Sequence, residues 1–356
     1  MKKFLCLFLI LSLITATAAC GAPSASAAPS AEPELERYSA IIYDSFDTIT
    51  SVLAYCSSEE EFDAIYSELN SGLSRYHKLF DIYNSYPGIV NLKDVNDHAA
   101  EAPMEVPVEI IELLSFAKQA YDLTLGEMNP AMGSVLTLWH NARELANEIP
   151  EEAYLPDEAK LRAAAEHVDI DDLIIDAEAC TVFIADPEMK IDVGAIAKGY
   201  SVERIAQKFE AEGYDNILIS AGGNVRAIGC KPGDALWTVG ITNPDLQSSV
   251  PYVATVAVDG KAVVTSGGYQ RFFVYDGQRY HHIVDRKSLK PENRFLSVSI
   301  IADDSGLADA LSTAVFNMDY EDGLNFINSL EGVGAMWIMN DQEQRFSPEF
   351  EKYVKS

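Results

Sequence analysis

The chain has 356 residues, and 55 acidic against 26 basic side chains give it a formal net charge of −29. That balance excludes nonspecific nucleic-acid binding and repels a polyanionic ligand at long range. A nucleotide site in this chain therefore needs local compensation from helix N-termini, a few lysines or a divalent cation.

Lys2 and Lys3, the 11-residue run Phe4 to Ile14 and the small residues before Cys20 predict an export signal over residues 1–19. The run is too short to cross a bilayer core of about 30 Å as a permanent helix. Ala18-Ala19-Cys20-Gly21 resembles a lipoprotein box with Cys20 as the lipidated first residue, although Thr17 stands where leucine is usual. Cleavage after Ala16-Thr17-Ala18 is the competing reading. Residues 20–36, rich in Ala, Ser and Pro, read as a tether, and residues 37–356 as one domain. Cys56, Cys180 and Cys230 lack CxxC spacing and read as buried thiols.

Ile41 to Tyr55 reads as a strand pair broken near Asp47. Ser58 and Glu61 suggest a capping box opening a helix to Leu79, and Pro107 opens a second helix to Leu123. The acidic stretch Asn147 to His167 reads as a helical surface insertion, and residues 173–184 as a hairpin. Met189 to Val193 predicts a short strand, Ala195 to Glu212 a helix ending at Gly213, and Asn216 to Ser220 another strand. Six strand candidates follow between Trp237 and Ala302, then helices over 305–317 and 321–330 and a strand over 335–339. Elements in this order predict an α+β fold with largely antiparallel sheet and packed helices.

The segment Ile191 to Asn224 concentrates chemistry. Free N–H groups at the start of its helix, beside Gly194 and Ala195, would stabilise an anionic oxygen, and Lys198 would add a full charge one turn in. Tight helix-on-strand packing explains the same small residues equally well, and the spacing matches neither GxGxxG nor a Walker loop. Asp309, Ser312 and Thr313 stand at i, i+3 and i+4 on a predicted helix, as hard oxygen ligands for Mg²⁺ or as a solvated face. His282 near Asp285 suits a general base or a surface histidine.

Taken in order, these segments resemble the ApbE family of FAD:protein FMN transferases across nearly all of the mature chain. Phe46-Asp47-Thr48, LFDIY ending at Tyr83, LGEMNPAMGSVLTLWH, IDVGAIAKGYSVE, ISAGGNV, TSGGYQRFF, HHIVDRKSLKP and ADALSTAVF carry the resemblance. It implies an ApbE-like, T-fold-like architecture. The implied reaction is Mg²⁺-dependent: FAD is split, AMP leaves, and FMN is joined through phosphate to a Thr or Ser hydroxyl of an exported electron-transfer protein. The same resemblance implies metal ligands at Asp309, Ser312, Thr313 and the Ala195 carbonyl. FAD contacts fall at Phe46, Tyr83, Glu127, Met128, Asn129, Asp192, Lys198 and Ile283. His282 is implied as the base that deprotonates the acceptor, with Asp285 as its catalytic neighbour.

Asn129, Arg286 and Asn224 depart from the family pattern, where Asp, Pro and Asp are usual; asparagine keeps hydrogen bonding and loses charge. The expected partners are FAD, the acceptor proteins and, through the lipid anchor, the outer side of the cell membrane. Competing functions are an FAD pyrophosphatase and a flavin- or solute-binding lipoprotein without chemistry.

Overall fold

The computed structural model describes residues 35–355, so the signal, Cys20 and most of the tether lie outside the described residues. Leu35 onward forms one compact unit.

Alternating burial in the strand Thr48–Cys56 fixes one face inward and pairs it antiparallel with Glu36–Ser45, from Glu36 opposite Cys56 to Ser45 opposite Thr48. The connecting residues are only Phe46 and Asp47, both at positive φ (56° and 51°). A two-residue hairpin demands that backbone, normally from Asn or Gly; here two bulkier residues adopt it. His77 Nδ1 accepts the Phe46 N–H (3.2 Å) and Arg271 donates to the Phe46 carbonyl (3.2 Å), which holds the tip in place.

This hairpin is one edge of an eight-stranded sheet, antiparallel throughout. The order continues through Asn216–Ala221, Asn224–Gly229, Ala262–Gly267, Phe295–Ala302 and Gly334–Met339 to Gln344–Phe346. Residue parity separates its faces. Val264 and Ile300 pack with Leu311 and Val315 of the helix Ser305–Asn317, whereas Val263 and Ile301 pack with Trp237, Val239 and Val256 of a separate two-stranded hairpin. Helices Glu59–Phe80 and Ala197–Ala211 cover the other half of the first face through Ile65, Leu69, Ile205 and Phe209. A third layer, built from helices Leu92–His98 and Val108–Leu123 and a three-stranded sheet, packs on Ala197, Tyr200, Ala310 and Ala314. The α+β, antiparallel expectation therefore holds.

Several local expectations change. Ser58 caps the first helix by accepting the Glu61 N–H, but Glu61 returns its bond to Ser57, one residue outside the predicted box. Pro107 is the N-cap of Val108–Leu123 rather than its first helical residue. Met189 to Val193 is no strand: only a bridge between Lys190 and Met132 forms there, and the helix opens at Ala197 after a turn. A 16-residue helix, Gly133–Glu148, occupies a stretch to which no element was assigned, and the acidic insertion beyond it contains one short α-helix, Glu158–Ala164, and a single 3-10 turn, Pro150–Glu152. Cys56 is buried, while Cys180 and Cys230 are partly exposed.

Candidate active site

A cavity of about 550 Å³ opens where the hairpin tip, the end of the first long helix, the Glu127–Met132 loop, the Asp192–Lys198 turn and the helix Ser305–Asn317 converge. Of the residues anticipated from sequence, it is lined by Phe46, Tyr83, Glu127, Met128, Asn129, Asp192, Ala195, Lys198, His282, Ile283, Asp309 and Thr313. Ser312 and Asp285 are not brought into it.

The helix Ala197–Ala211 explains how the floor is built. Its leading N–H groups were expected to face a ligand anion, but Gly194 N–H donates to Asp192 Oδ1 (2.8 Å) and Gly199 N–H to Asp309 Oδ2 (2.8 Å). These two donors are spent on holding the chain's own carboxylates. The geometry is possible because residue 199 is glycine: a Cβ there would stand 2.4 Å from the Ser305 carbonyl oxygen and 2.6 Å from Asp309 Cβ. Burial drives the proton affinities of both Asp192 and Asp309 up, while the Lys198 ammonium and the Gly199 N–H pull that of Asp309 back.

Asp309, Thr313 and Ala195 all bring hard oxygen donors to the cavity lining. A buried carboxylate penalised for its charge, in the same cavity as a hydroxyl and a main-chain carbonyl, is a donor set that suits a small divalent cation. Among the described residues no group of three or more His, Cys, Asp or Glu gathers, which argues against a multi-carboxylate or zinc centre. Ser312 leaves this set. Its hydroxyl donates to the Asp309 carbonyl within its own helix (2.9 Å) and lies 2.7 Å from Ser266 Oγ, fully buried.

His282 lines the same cavity. Its Nδ1 lies 3.2 Å from the Arg271 carbonyl, which assigns the proton to Nδ1 and leaves Nε2 as the acceptor. Desolvation, reinforced by the Arg271 guanidinium, pulls its pKa down to about 3, so the ring is neutral with Nε2 unprotonated, and burial alone makes it a weaker base than an ordinary imidazole. Asp285 plays no part in this pairing. Its Oδ1 accepts Lys287 and Ser288 N–H groups (2.8 and 2.7 Å), its Oδ2 faces Arg294 at 3.3 Å, and it is 1% exposed. It is the brace of the turn after His282.

The loop side chains divide their duties. Asn129 is occupied by Ala131 N–H and the Val168 carbonyl, whereas Glu127 is gripped through Oε1 by Arg286 and Lys287. Arg286, where the family pattern has proline, thus acts as a clamp on the cavity loop. Tyr83 stacks on His140 with ring centroids 4.4 Å apart and planes 19° apart. His140 accepts from Arg143 at Nδ1 (3.0 Å) if neutral, and burial lowers its pKa. His140, Arg143 and Arg271 all line the cavity and were not anticipated. The signal was available for the first two: Val135, Trp139, Ala142 and Ala146 are spaced as one buried helical face.

Comparison with known proteins agrees with this architecture. The ApbE family profile matches residues 46–337. A Klebsiella pneumoniae protein named FAD:protein FMN transferase is 30% identical over 295 residues, covering 80% of this chain and 88% of the relative. A Treponema pallidum protein of the same name is 35% identical over 270 residues, 72% of each chain. The crystal structure of the ApbE protein from Thermotoga maritima superposes with a TM-score of 0.77 at 28% identity, covering 90% of this chain and all of that one. A family match across most of the chain, relatives at these identities and a shared fold lead to one conclusion: the protein belongs to the ApbE family and is a transferase.

Proposed function

We propose that the protein is a Mg²⁺-dependent FAD:protein FMN transferase, which attaches FMN through a phosphoester to a Thr or Ser hydroxyl of an exported protein and releases AMP. The observation that carries this reading is the meeting, in one cavity, of Lys198 and the oxygens of Asp309, Thr313 and Ala195 with a neutral His282. Those are the groups that phosphoryl transfer requires: charge neutralisation on a pyrophosphate and a base for the attacking hydroxyl. The names of the Klebsiella and Treponema relatives point the same way.

In the proposed reaction the acceptor hydroxyl loses its proton to His282 Nε2 and its oxygen bonds to the FMN-side phosphorus. The phosphorus–oxygen bond to AMP breaks, and the electron pair leaves with the AMP phosphate. Lys198 offsets charge on the pyrophosphate, while Asp192 and Asp309 are held ready by the Gly194 and Gly199 N–H groups. Asp309, Thr313 and the Ala195 carbonyl would hold a Mg²⁺ ion, whose charge would offset that developing on the phosphate oxygens. Phe46 and Tyr83 offer aromatic surface to the flat rings of FAD, and Met128 and Ile283 offer apolar surface. Residues 1–20 support an exported lipoprotein anchored at Cys20; the mass of the mature N-terminus tests that part.

Incubation with FAD, Mg²⁺ and an exported flavin acceptor, followed by intact-mass measurement of the acceptor, tests the whole reading. A covalent FMN adduct is expected, lost in Asp309→Ala and slowed far more than FAD binding is weakened in His282→Ala. Free FMN and AMP without an adduct would make the enzyme a pyrophosphatase, and unchanged FAD would leave only a binding protein.

A further inference from the structure

Asn224 lies outside every role described so far. It opens the strand Asn224–Gly229 immediately after the Gly222–Gly223 turn and is fully buried. Ser305 Oγ, at the start of the helix Ser305–Asn317, donates to Asn224 Oδ1 at 2.6 Å, which turns the amide nitrogen the other way. On that side lies Asp309: a Cβ placed on Gly199 would meet Asn224 Nδ2 at 2.8 Å and Asp309 Cβ at 2.6 Å, so the two groups border the same small space. Nδ2 closes no full hydrogen bond among the described residues. It is a buried donor with unspent capacity beside a buried carboxylate, and such a donor costs free energy unless it serves something.

Asp309 is the only carboxylate among Ala195, Asp309 and Thr313, and Gly199 N–H already holds its Oδ2. An amide adjoining the same carboxylate restricts its rotation and favours the orientation that leaves its other oxygen for the cavity. Because the amide is neutral, it adds no second negative charge at that spot.

We propose that Asn224 is a positioning residue for the divalent cation: aimed by Ser305, its amide orients Asp309, and its neutrality keeps the site at a single carboxylate charge. The inference rests on the reading of Asp309 as a cation ligand. Outer partners of metal ligands typically change affinity by about 10–100-fold when removed, and ligand charge count tunes affinity further.

The test uses the full chain without FAD or acceptor, with Mn²⁺ as the probe. Free Mn²⁺ is followed by electron paramagnetic resonance, and the urea midpoint is read separately. Asn224→Ala is expected to weaken Mn²⁺ binding about tenfold, and Ser305→Ala, which removes only the aiming bond, about threefold. Asn224→Asp is expected to bind Mn²⁺ several-fold more tightly and to lower the urea midpoint of the metal-free protein, because two buried carboxylates repel. Wild-type Mn²⁺ affinity in Asn224→Ala and Ser305→Ala, whatever their urea midpoints, overturns the positioning role. An Asn224→Asp variant no tighter than wild type overturns the charge argument. An Asp309→Ala control separates the two levels: unchanged Mn²⁺ affinity there removes the cation reading and this inference together. Loss there with no change in Asn224→Ala removes this inference alone.

Discussion

Gly199→Ala is the single-methyl perturbation with the largest predicted consequence. The added Cβ would lie 2.4 Å from the Ser305 carbonyl oxygen, 2.6 Å from Asp309 Cβ and 2.8 Å from Asn224 Nδ2, where ordinary contact begins near 3.4 Å. The two nearest atoms are main-chain or Cβ, so no rotamer change relieves the clash; the helices Ala197–Ala211 and Ser305–Asn317 must part by about 1 Å. Overpacking of this kind costs about 1–3 kcal/mol. Lengthening the Gly199 N–H bond to a buried carboxylate adds about 1.5–3 kcal/mol if that bond is lost. The better helix propensity of alanine returns about 1 kcal/mol. The net expectation is a loss of about 1.5–5 kcal/mol, with Asp309 displaced from Lys198 and Mn²⁺ affinity falling at least tenfold. Urea denaturation and Mn²⁺ titration measure the two effects. Gly194→Ala is the control, since its Cβ would meet only a side-chain atom, Asp192 Oδ1 at 3.0 Å, and should cost under about 1 kcal/mol. A Gly199→Ala midpoint equal to that of Gly194→Ala would refute the argument that this crossing is closed by a missing methyl.

Arg226→Met leaves Glu203, paired with Arg226 at 2.9 Å and 4% exposed, as a buried charge held mainly by the Ser305 N–H; a loss of about 3–5 kcal/mol in urea is expected, and a loss below about 1 kcal/mol would show that the pair carries no such penalty. His282 has a folded pKa of about 3 against an ordinary 6.5, so its contribution to stability is full above pH 6.5 and is lost as pH falls towards 3. His282→Ala should accordingly lose less stability than wild type between pH 7 and pH 5, and an equal loss would contradict a neutral, desolvated ring. Asp285→Ala should cost about 2–3 kcal/mol by freeing two turn N–H groups and Arg294, while transfer per folded molecule stays within about threefold of wild type; a thousandfold loss would restore Asp285 to the chemistry.

What could be read in the sequence was what depends on local pattern. The edge hairpin, the helix Ser305–Asn317 and most strands after Trp237 follow from alternation, capping and turn residues within each segment. The stretch Ile191 to Asn224 was recognisable as a site, but the destination of its N–H groups was not. Gly199 meets Asp309 across 110 positions, and only the packing of two helices decides that the donor serves a carboxylate rather than a ligand. Ser312 shows the limit of face arguments on a helix, because i and i+3 share a side with i+4 while a short hydroxyl can still turn back to its own backbone. The same holds for Asp285, whose acidic side chain near a histidine looked catalytic until the Lys287 and Ser288 N–H groups claimed it. Asn224 stood out only as a departure from the family's usual aspartate, and nothing local assigned it a role, since its partners Ser305 and Asp309 lie far along the chain.

The charge of the molecule yields a final prediction with an unusual sign. The cavity is lined by Asp47, Asp81, Glu127, Asp192 and Asp309 against Lys198, Arg143 and Arg271, in a chain of net charge −29. Glu127 is clamped by Arg286 and Lys287, and Asp81 is spent on Tyr83, Asn84 and Tyr86, so neither is free to welcome a cation. A dianionic pyrophosphate therefore approaches a surface that repels it, and added salt screens that repulsion, with a Debye length near 10 Å at 0.1 M. FAD association should accelerate when monovalent salt rises from about 10 to 150 mM, the opposite of what a basic nucleotide-binding protein shows. Millimolar Mg²⁺ should remove most of that salt dependence, because on the proposed reading a cation at Asp309 would supply locally what the bulk ions supply by screening. Stopped-flow flavin fluorescence measures the rate directly. An association rate that falls with salt in the absence of Mg²⁺ would show that Lys198, Arg143 and Arg271 outweigh the carboxylates, and the cavity would then need no cation to receive its substrate.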